Sequence, residues 1–213
     1  MPRERRAPPS GGTGDGEKTR LLILDASVAV LREHGAVGWS VPKVADVVGI
    51  QQGSITFYYP TRRDLLVATS QHIAARYAAL LAERMAELDT DDDGWVAELA
   101  GWFLDDAVAP PTVEIFPELW SLGRTDPDIG AAVAGIYQTA THALVRALGH
   151  DPDDPACGEL WAVVWLLSTT IEGMTAVHGH RGPDDPLYRA VRTEALALLA
   201  PRLHAAHLAA PSA

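Results

Sequence analysis

Apolar residues recur at intervals of three and four along nearly the whole chain, the spacing of one face of an α-helix. In the first such segment, about Glu17–His34, apolar residues return every turn, and Gly35 marks its end. The same spacing then predicts two short helices, Val41–Val48 and Gln52–Tyr58, and a long helix from Arg63 to about Leu88. No stretch has the alternating pattern of a strand, so we predict an all-α chain.

Clusters of Pro, Gly and Asp separate the rest of the chain into further segments with helical spacing. These segments are at about Asp93–Val108, Val113–Gly123, Asp128–Leu148, Ala156–Val177 and Pro186–Leu203. We therefore predict three helices in an amino-terminal domain, residues 17–64, and six in a carboxy-terminal domain, residues 65–213. Residues 1–16 are rich in Pro, Gly and Arg and are predicted to be a disordered tail.

The two short helices are joined by a tight turn. Ser40 is placed to cap the first helix, and Pro42 is tolerated in its first turn, where a backbone N–H has no partner. Gly49 stands where a helix commonly ends in a left-handed residue, and Pro60 stops the second helix. Two helices of this length with glycine at the turn predict a helix-turn-helix, whose second helix can lie in the major groove of DNA.

The residues of this segment also follow a known pattern. The run GIQQGSITFYYPTRRDLL, preceded by SVPKVADVV, resembles the DNA-binding domain of the tetracycline-repressor (TetR) family of bacterial regulators. The positions on or near the family pattern are Ser40, Val44, Ala45, Gly49, Ile50, Gly53, Ser54, Ile55, Phe57, Tyr58, Tyr59, Thr61, Arg62 and Leu65, with Ile23 to Ala26 and Gly35 upstream. The resemblance covers about 50 residues of the 213. It implies a ligand-responsive repressor that binds an inverted-repeat DNA operator as a homodimer.

Three positions depart from the family pattern. Thr56 stands where the family usually has Tyr, Pro42 stands where some relatives have a base-contacting Arg, and Arg62 replaces the usual Lys. These departures leave DNA binding intact as an expectation but put an inherited operator sequence in doubt.

Small and polar residues on the second helix are the candidates for DNA contact. Gly53 and Ser54 lie at its amino terminus, where backbone N–H groups and the helix dipole favour a phosphate. Gln52 can bond an adenine edge and Thr56 can meet a thymine methyl, so both are candidates for sequence recognition. The full predicted set is Lys43, Gln52, Gly53, Ser54, Thr56, Phe57, Tyr58 and Arg62. The alternative for Phe57, Tyr58 and Tyr59 is that they only close a small core.

Charge is distributed unevenly along the chain. The net charge is −11, but residues 1–66 hold 9 Lys/Arg against 7 Asp/Glu, and residues 67–213 hold 8 against 21. An acidic carboxy-terminal domain repels DNA, which favours contact through the other end. Ordinary solvated surfaces are the alternative. Arg3, Arg5 and Arg6 can similarly be a minor-groove arm or a solvated tail.

Aromatic residues concentrate in the carboxy-terminal domain, where a few polar groups share their helix faces. Aromatics at helical spacing are either ordinary core or the wall of a small-molecule pocket. The resemblance implies a pocket, for which the candidates are Trp102, Phe116, Trp120, Tyr137, Thr141, Trp165, Thr169, Glu172 and His178.

The last two helices have apolar residues on more than one face. Two such helices pairing with their copies would form a four-helix, two-fold interface. The candidates for this homodimer interface are Trp161, Ser168, Leu187, Val191, Ala195 and Leu198.

Other kinds of chemistry have little support. Asp89, Asp91 and Asp93 begin like a calcium loop, but Ala100 occupies its twelfth position, so we interpret them as an acidic linker. His178-Gly-His180 has no nearby third ligand in the sequence, and no nucleophile or phosphate-loop motif is present. We expect no catalytic residue, no metal and no cofactor. The absence of a signal segment or long apolar run, and the single Cys157, favour a cytoplasmic protein without a membrane span.

The sequence therefore predicts a dimeric DNA-binding regulator that responds to a small apolar or aromatic effector. Two alternatives stay open. One is a helical enzyme or ligand carrier that retains the helix-turn-helix, and the other is an architectural DNA binder without an effector.

Overall fold

A computed structural model describes residues 13–90, 92 and 94–211 of the chain. Within these ranges the protein consists of nine α-helices and one short 3₁₀ turn, with no strand. The helices are α1 (Thr13–Gly38), α2 (Val41–Val48), α3 (Gln52–Tyr58), α4 (Arg62–Glu87), α5 (Trp95–Asp106), α6 (Pro110–Thr125), α7 (Pro127–Ala147), α8 (Gly158–His178) and α9 (Pro186–Ala209). The predicted all-α architecture, a helix-turn-helix domain followed by six helices, is confirmed.

The first helix differs from the prediction at both ends. It begins at Thr13, so residues 13–16 are helical and not part of a disordered tail, while the tail arginines Arg3, Arg5 and Arg6 lie outside the described residues. Gly35 has φ 65° and ψ 177°, which breaks the helix at the predicted position, and one further turn follows it. A left-handed φ of this kind favours glycine, because it has no Cβ.

Side-chain caps define the starts of three of the six helices from α4 onward, namely α4, α7 and α9. The Thr61 hydroxyl accepts from the Asp64 N–H while Asp64 accepts from the Thr61 N–H, a capping box that begins α4. Asp126 caps α7, with its carboxylate accepting from two backbone N–H groups. Ser40 has the extended backbone of a cap, but its side chain makes no capping bond to the described residues, so that prediction is wrong. Helix α6 begins at Pro110, before the predicted start at Val113. A proline is tolerated there, because a backbone N–H in the first turn of a helix has no hydrogen-bond partner within the helix.

The apolar side chains form two clusters. The first joins the helix-turn-helix to α4, α6 and α7, and it includes the fully buried Leu31, Val44, Ile55 and Leu65. The second fills the space between α5, α7, α8 and α9. Because the first cluster crosses from α1–α3 into α4, α6 and α7, a shift in the carboxy-terminal helices changes the packing of the DNA-binding domain. Val47 of α2 does not take part in this core, since 56% of it is exposed.

A pair of glycines brings α6 and α7 into backbone contact. A Cβ added at Gly130 would lie 2.8 Å from the carbonyl oxygen of Gly123. This close crossing fixes the position of α6, the helix that contributes both to the interior of the carboxy-terminal domain and to the contact with α1.

Candidate DNA-binding surface and ligand cavity

The turn between α2 and α3 has the geometry that the sequence predicts. Gly49 is left-handed, with φ 76° and ψ 31°, and the Ile50 N–H donates to the Ala45 carbonyl oxygen at 3.1 Å. This bond and that from the Gly49 N–H satisfy carbonyls at the end of α2. The turn orients α3 across α2, and Gln51, in an extended conformation, leads into it.

A single side chain anchors α3. Ile55 is fully buried, whereas Gln52, Gly53, Ser54, Thr56 and Phe57 are exposed. A seven-residue helix with one buried residue offers nearly its whole circumference to a partner. The exposed residues are the ones predicted to contact DNA.

The aromatic residues at the end of α3 divide into two groups. Phe57 is 60% exposed, which disfavours the alternative that it closes the core. Tyr58 is half-buried, and the Arg20 guanidinium lies 5.5 Å from the centre of its ring. Tyr59 packs against the first hydrophobic cluster, and burial raises the pKa of its hydroxyl. Phe57 and Tyr58 therefore remain available for contact with DNA, whereas Tyr59 mainly stabilises the core.

The flanking cations are held in place by the protein itself. Lys43 Nζ donates to the Gly38 carbonyl oxygen at 2.9 Å, and the Arg62 guanidinium lies 5.3 Å from the centre of the Trp39 ring. Both interactions leave donor capacity for a phosphate, because an ammonium has three N–H groups and a guanidinium five. They also limit the conformational entropy that these side chains would lose on binding.

The carboxy-terminal domain encloses a cavity of about 90 Å³ between α4, α5, α6, α7 and α8. Five of the predicted pocket residues line it: Trp102, Phe116, Tyr137, Thr141 and Glu172. The volume is below the roughly 300–1,000 Å³ of sites for drug-sized ligands. A ligand of more than a few heavy atoms must therefore displace lining side chains.

The structure does not bring the other four predicted pocket residues to the cavity wall. Trp120 lies behind it and donates from Nε1 to the Tyr137 hydroxyl at 2.6 Å. Trp165 and Thr169 are on the exposed face of α8, and His178 is buried with its ring tilted against Tyr188. Helical spacing placed these residues on the correct helix but did not distinguish which of its faces points inward.

The cavity also contains polar residues that the sequence analysis missed. The Tyr77 hydroxyl lies 2.7 Å from the Thr112 hydroxyl, which donates to Asp106 Oδ2 at 2.8 Å. Burial raises the pKa of Asp106, and the bond from Thr112 partly offsets this effect. Tyr77 falls within the apolar spacing of α4, which gives no sign of a polar role, and nothing in the local pattern around Asp106 distinguishes it from an ordinary helix-terminal carboxylate.

Glu172 is the most perturbed carboxyl of the cavity. Burial raises its pKa to about 7, and the neighbouring Tyr137 hydroxyl counteracts part of the shift. Its Oε2 atom is buried and has no hydrogen-bond partner among the described residues. Burial likewise raises the pKa of both Tyr77 and Tyr137 well above the ordinary tyrosine value, so both hydroxyls stay protonated at neutral pH.

An exposed apolar surface covers adjoining faces of α8 and α9. It contains three of the predicted interface residues, Leu187, Val191 and Leu198, which are between 36% and 68% exposed. Trp165, Leu166 and Val177 extend it along α8. We call these six residues the α8–α9 surface.

Of the remaining predicted interface residues, Trp161 is half-buried and donates from Nε1 to the Pro152 carbonyl oxygen, and Ser168 lines the cavity. Ala195 is buried in the groove between α8 and α9, which Val191 and Leu198 also line. By length and composition, one segment of the described chain, Pro155–His178, is apolar enough to cross a membrane. It packs against α7 and α9, and its outward apolar residues belong to the α8–α9 surface.

Contacts between α1 and α6 link the two parts of the chain. Glu118 Oε2 accepts from the Ala36 N–H at 2.6 Å, next to the left-handed Gly35, and Arg32 Nε donates to Glu114 Oε2 at 2.7 Å. On another face of the same helix, Thr112 and Phe116 line the cavity. Helix α6 therefore touches both the cavity and the helix that supports the helix-turn-helix.

Metal binding finds no support in the described part of the chain, where no group of three or more His, Cys, Asp or Glu residues has a suitable arrangement. Asp91 and Asp93 of the calcium-like half loop lie outside the described residues.

The fold and the surface of α3 define a helix-turn-helix DNA-binding protein with a separate interior cavity. Residues 23–69 match the family model for bacterial regulatory proteins of the tetR family. The resemblance to the TetR family found in the sequence is therefore confirmed over these residues, which form a DNA-binding domain of the kind found in transcriptional regulators.

Relatives and solved structures agree with this assignment. The chain is 26% identical over 167 residues to the HTH-type transcriptional regulator Rv2912c of Mycobacterium tuberculosis, covering 76% of this chain and 84% of that one. It is 29% identical over 92 residues to the HTH-type regulator CymR of Pseudomonas putida, where it spans only 45% of the relative and 42% of this chain is covered.

Two solved structures show the same fold. The transcriptional regulator SCO7518 of Streptomyces coelicolor has a TM-score of 0.64 at 22% identity, with 86% of this chain and 98% of that one covered. The regulator FadR of Bacillus subtilis, solved in complex with stearoyl-CoA, has a TM-score of 0.61 at 18% identity, with 84% and 97% covered.

Proposed function

We propose that this regulator binds an inverted-repeat operator as a homodimer and is released from it by a small molecule that enters the cavity. The observation that carries the proposal is the geometry of α3, which is anchored by Ile55 and exposes its polar residues. This is the arrangement that lets a recognition helix enter the major groove without disturbing its own core.

The contacts divide into those that position the protein and those that specify sequence. Gln52, Ser54 and Thr56 face outward and supply donors and acceptors for base edges. The Thr56 hydroxyl already donates to the Gly53 carbonyl oxygen at 3.0 Å, so its lone pairs and methyl group remain for DNA. Gly53 allows close approach of the backbone at the amino end of α3.

Phosphate contacts fall to the flanks of α3. Lys43, Tyr58 and Arg62, with Phe57 beside them, surround the recognition residues and are pre-positioned by contacts within the domain. We expect these contacts to provide most of the affinity and its salt dependence.

Dimerisation through the α8–α9 surface would place two α3 helices on one face of the DNA. A two-fold pair of such helices contacts successive major grooves about 34 Å apart. Large exposed apolar patches on a folded chain mark interaction sites, which supports pairing of this surface with its copy.

The effector would act through two helices that reach the DNA-binding domain. Helix α4 contributes Tyr77 to the cavity, and its first turn follows directly after α3. Helix α6 contributes Thr112 and Phe116 to the cavity, and Glu118 to the bond with Ala36. Because the cavity is small, a ligand that widens it shifts one or both helices. Operator and effector then weaken each other's binding by the same factor.

We infer further that the chain is a cytoplasmic repressor without enzymatic activity, with its DNA-binding domain in residues 17–64 and its effector and dimer functions in residues 65–213. The FadR structure shows that a protein of this fold holds a ligand, which supports an effector site here.

Selection of binding sites from random duplex DNA, at fixed salt concentration, tests the proposal. Wild type is compared with Gln52→Ala/Ser54→Ala and with the matched control Gln138→Ala/Ser121→Ala, whose four side chains are all exposed. We expect wild type and control to enrich the same inverted repeat and the α3 variant to lose it. The proposal fails if wild type enriches no sequence at any salt concentration, or if the α3 variant enriches the same repeat as wild type.

A further inference from the structure

The cavity is lined on several sides by aromatic rings. Tyr77, Phe116 and Tyr137 come from three different helices, and Trp102 and Phe103 come from a fourth. Phe116 lies edge-on to Tyr77 at 5.5 Å between ring centres. Aromatic faces carry negative quadrupole charge and attract cations that lie over them.

Two carboxyl groups share this aromatic cavity, and no Lys, Arg or His lies among its described lining residues. Asp106 has a hydrogen-bond partner, since it accepts from Thr112. The Glu172 carboxyl interacts with the Tyr137 hydroxyl, but its buried Oε2 atom lacks any partner among the described residues. The cavity therefore contains acceptor capacity and negative charge that the surrounding protein does not match.

An unmatched buried carboxylate is costly, and proteins avoid that cost by protonation or by pairing. The pKa of Glu172, raised to about 7, favours protonation of the carboxyl in the absence of a ligand. A cation in the cavity would instead pair with the carboxylate. It would neutralise the charge and offer an N–H donor or a polarised methyl group to Oε2.

We propose that the cavity binds an organic monocation, an amine or ammonium compound with an aromatic or compact apolar body, and that Glu172 is its counterion. This inference rests on the proposed function, which assigns the cavity to the effector. The two carboxyls oppose an anionic ligand, so the acyl-CoA held by FadR does not indicate the ligand class here.

The test uses three probes that share one ring and differ in charge: benzylammonium, benzyl alcohol and benzoate. Trp102 and Phe103 are half-buried lining side chains, and their displacement would admit a single ring. Calorimetric titration of wild type at neutral pH should show benzylammonium binding about tenfold or more tightly than benzyl alcohol, and benzoate not binding.

Substitution of the counterion supplies the second arm. Glu172→Gln keeps the shape and a hydrogen-bonding group, and it should weaken benzylammonium about tenfold while leaving benzyl alcohol unchanged. Glu159→Gln, an exposed glutamate on the same helix, is the matched control and should change neither probe. The comparison of probes on wild type needs no variant, so it holds even if a substitution disturbs folding.

Proton release gives an independent measurement. Near pH 6 the Glu172 carboxyl is largely protonated, so binding of a cation should displace a proton to the buffer. The titratable groups that face Glu172 are Tyr77, Tyr137 and Asp106. The tyrosines stay neutral at this pH, and Glu172→Gln separates the contribution of Glu172 from that of Asp106.

The inference is overturned if benzylammonium fails to bind, if benzyl alcohol or benzoate binds as tightly, or if Glu172→Gln binds the cation as well as wild type does. Its failure is separable from that of the proposed function. Cation binding that depends on Glu172 but leaves operator affinity unchanged would refute release by the effector and keep the ligand class. If wild type selects an operator but shows no preference for the cation, the ligand class is refuted and the proposed DNA binding is kept.

Discussion

Replacement of Glu172 by Gln should stabilise the free protein, and increasingly so as the pH rises above the ordinary glutamate pKa of 4.5. The structure raises the pKa of this carboxyl from 4.5 to about 7, chiefly by burial. At about 1.4 kcal/mol per pH unit, ionisation inside the protein costs up to roughly 3 kcal/mol. The folded state favours the protonated form, so wild type has its full stability below the unfolded pKa. It loses stability as the pH rises towards the folded pKa, and a neutral amide avoids the loss.

Urea denaturation at fixed protein concentration provides the assay, because the stability of a dimer depends on concentration. We expect the free energies of unfolding of wild type and Glu172→Gln to be similar at about pH 4, below the unfolded pKa. At about pH 8 the variant should be more stable by roughly 2–3 kcal/mol. Exposed Glu159→Gln should follow wild type at both pH values. Equal stability of Glu172→Gln and wild type at both pH values, or a less stable variant at pH 8, would refute the assignment of Glu172 as an unpaired buried carboxyl.

Three further substitutions test the packing and the contacts between domains. Leu198→Glu, at an exposed position of the α8–α9 surface, should leave each chain folded and shift sedimentation from dimer to monomer; an unchanged dimer would remove this surface from the interface. Gly130→Ala should lower the free energy of unfolding by about 1–3 kcal/mol in a thermal melt, because the added Cβ overpacks the α6–α7 crossing. Gly135→Ala in the same helix, where nothing lies within 4 Å, should leave the stability unchanged or raise it in the same melt. Glu118→Ala should cost about 1–3 kcal/mol and speed hydrogen exchange of the Ala36 amide; unchanged exchange there would show that this bond does not hold α1 to α6.

The sequence predicted the parts of this protein that depend on local rules. Gly35 interrupts α1 at the position predicted for a helix end, and Gly49 adopts the left-handed conformation expected of it. These features depend on backbone sterics and on periodicity within one or two turns, which are visible in a single sequence.

The cavity depends on how distant helices face one another, which periodicity does not determine. Trp165 and Trp102 both lie at helical spacing among apolar residues. Trp165 is nevertheless exposed on α8, whereas Trp102 lines the cavity. Helix α8 is apolar nearly all around, so its pattern has no preferred direction to predict. The pairing of Thr112 with Asp106 and the burial of Glu172 Oε2 without a partner likewise arise only when five helices meet.

The central claim is that two copies of α3 contact successive major grooves of one operator. Hydroxyl-radical footprinting of wild type on a selected duplex measures this most directly. We expect two protected patches about ten base pairs apart on one face of the DNA, and both should be lost together in Leu198→Glu. One isolated patch, or two patches that survive in a monomeric variant, would contradict it.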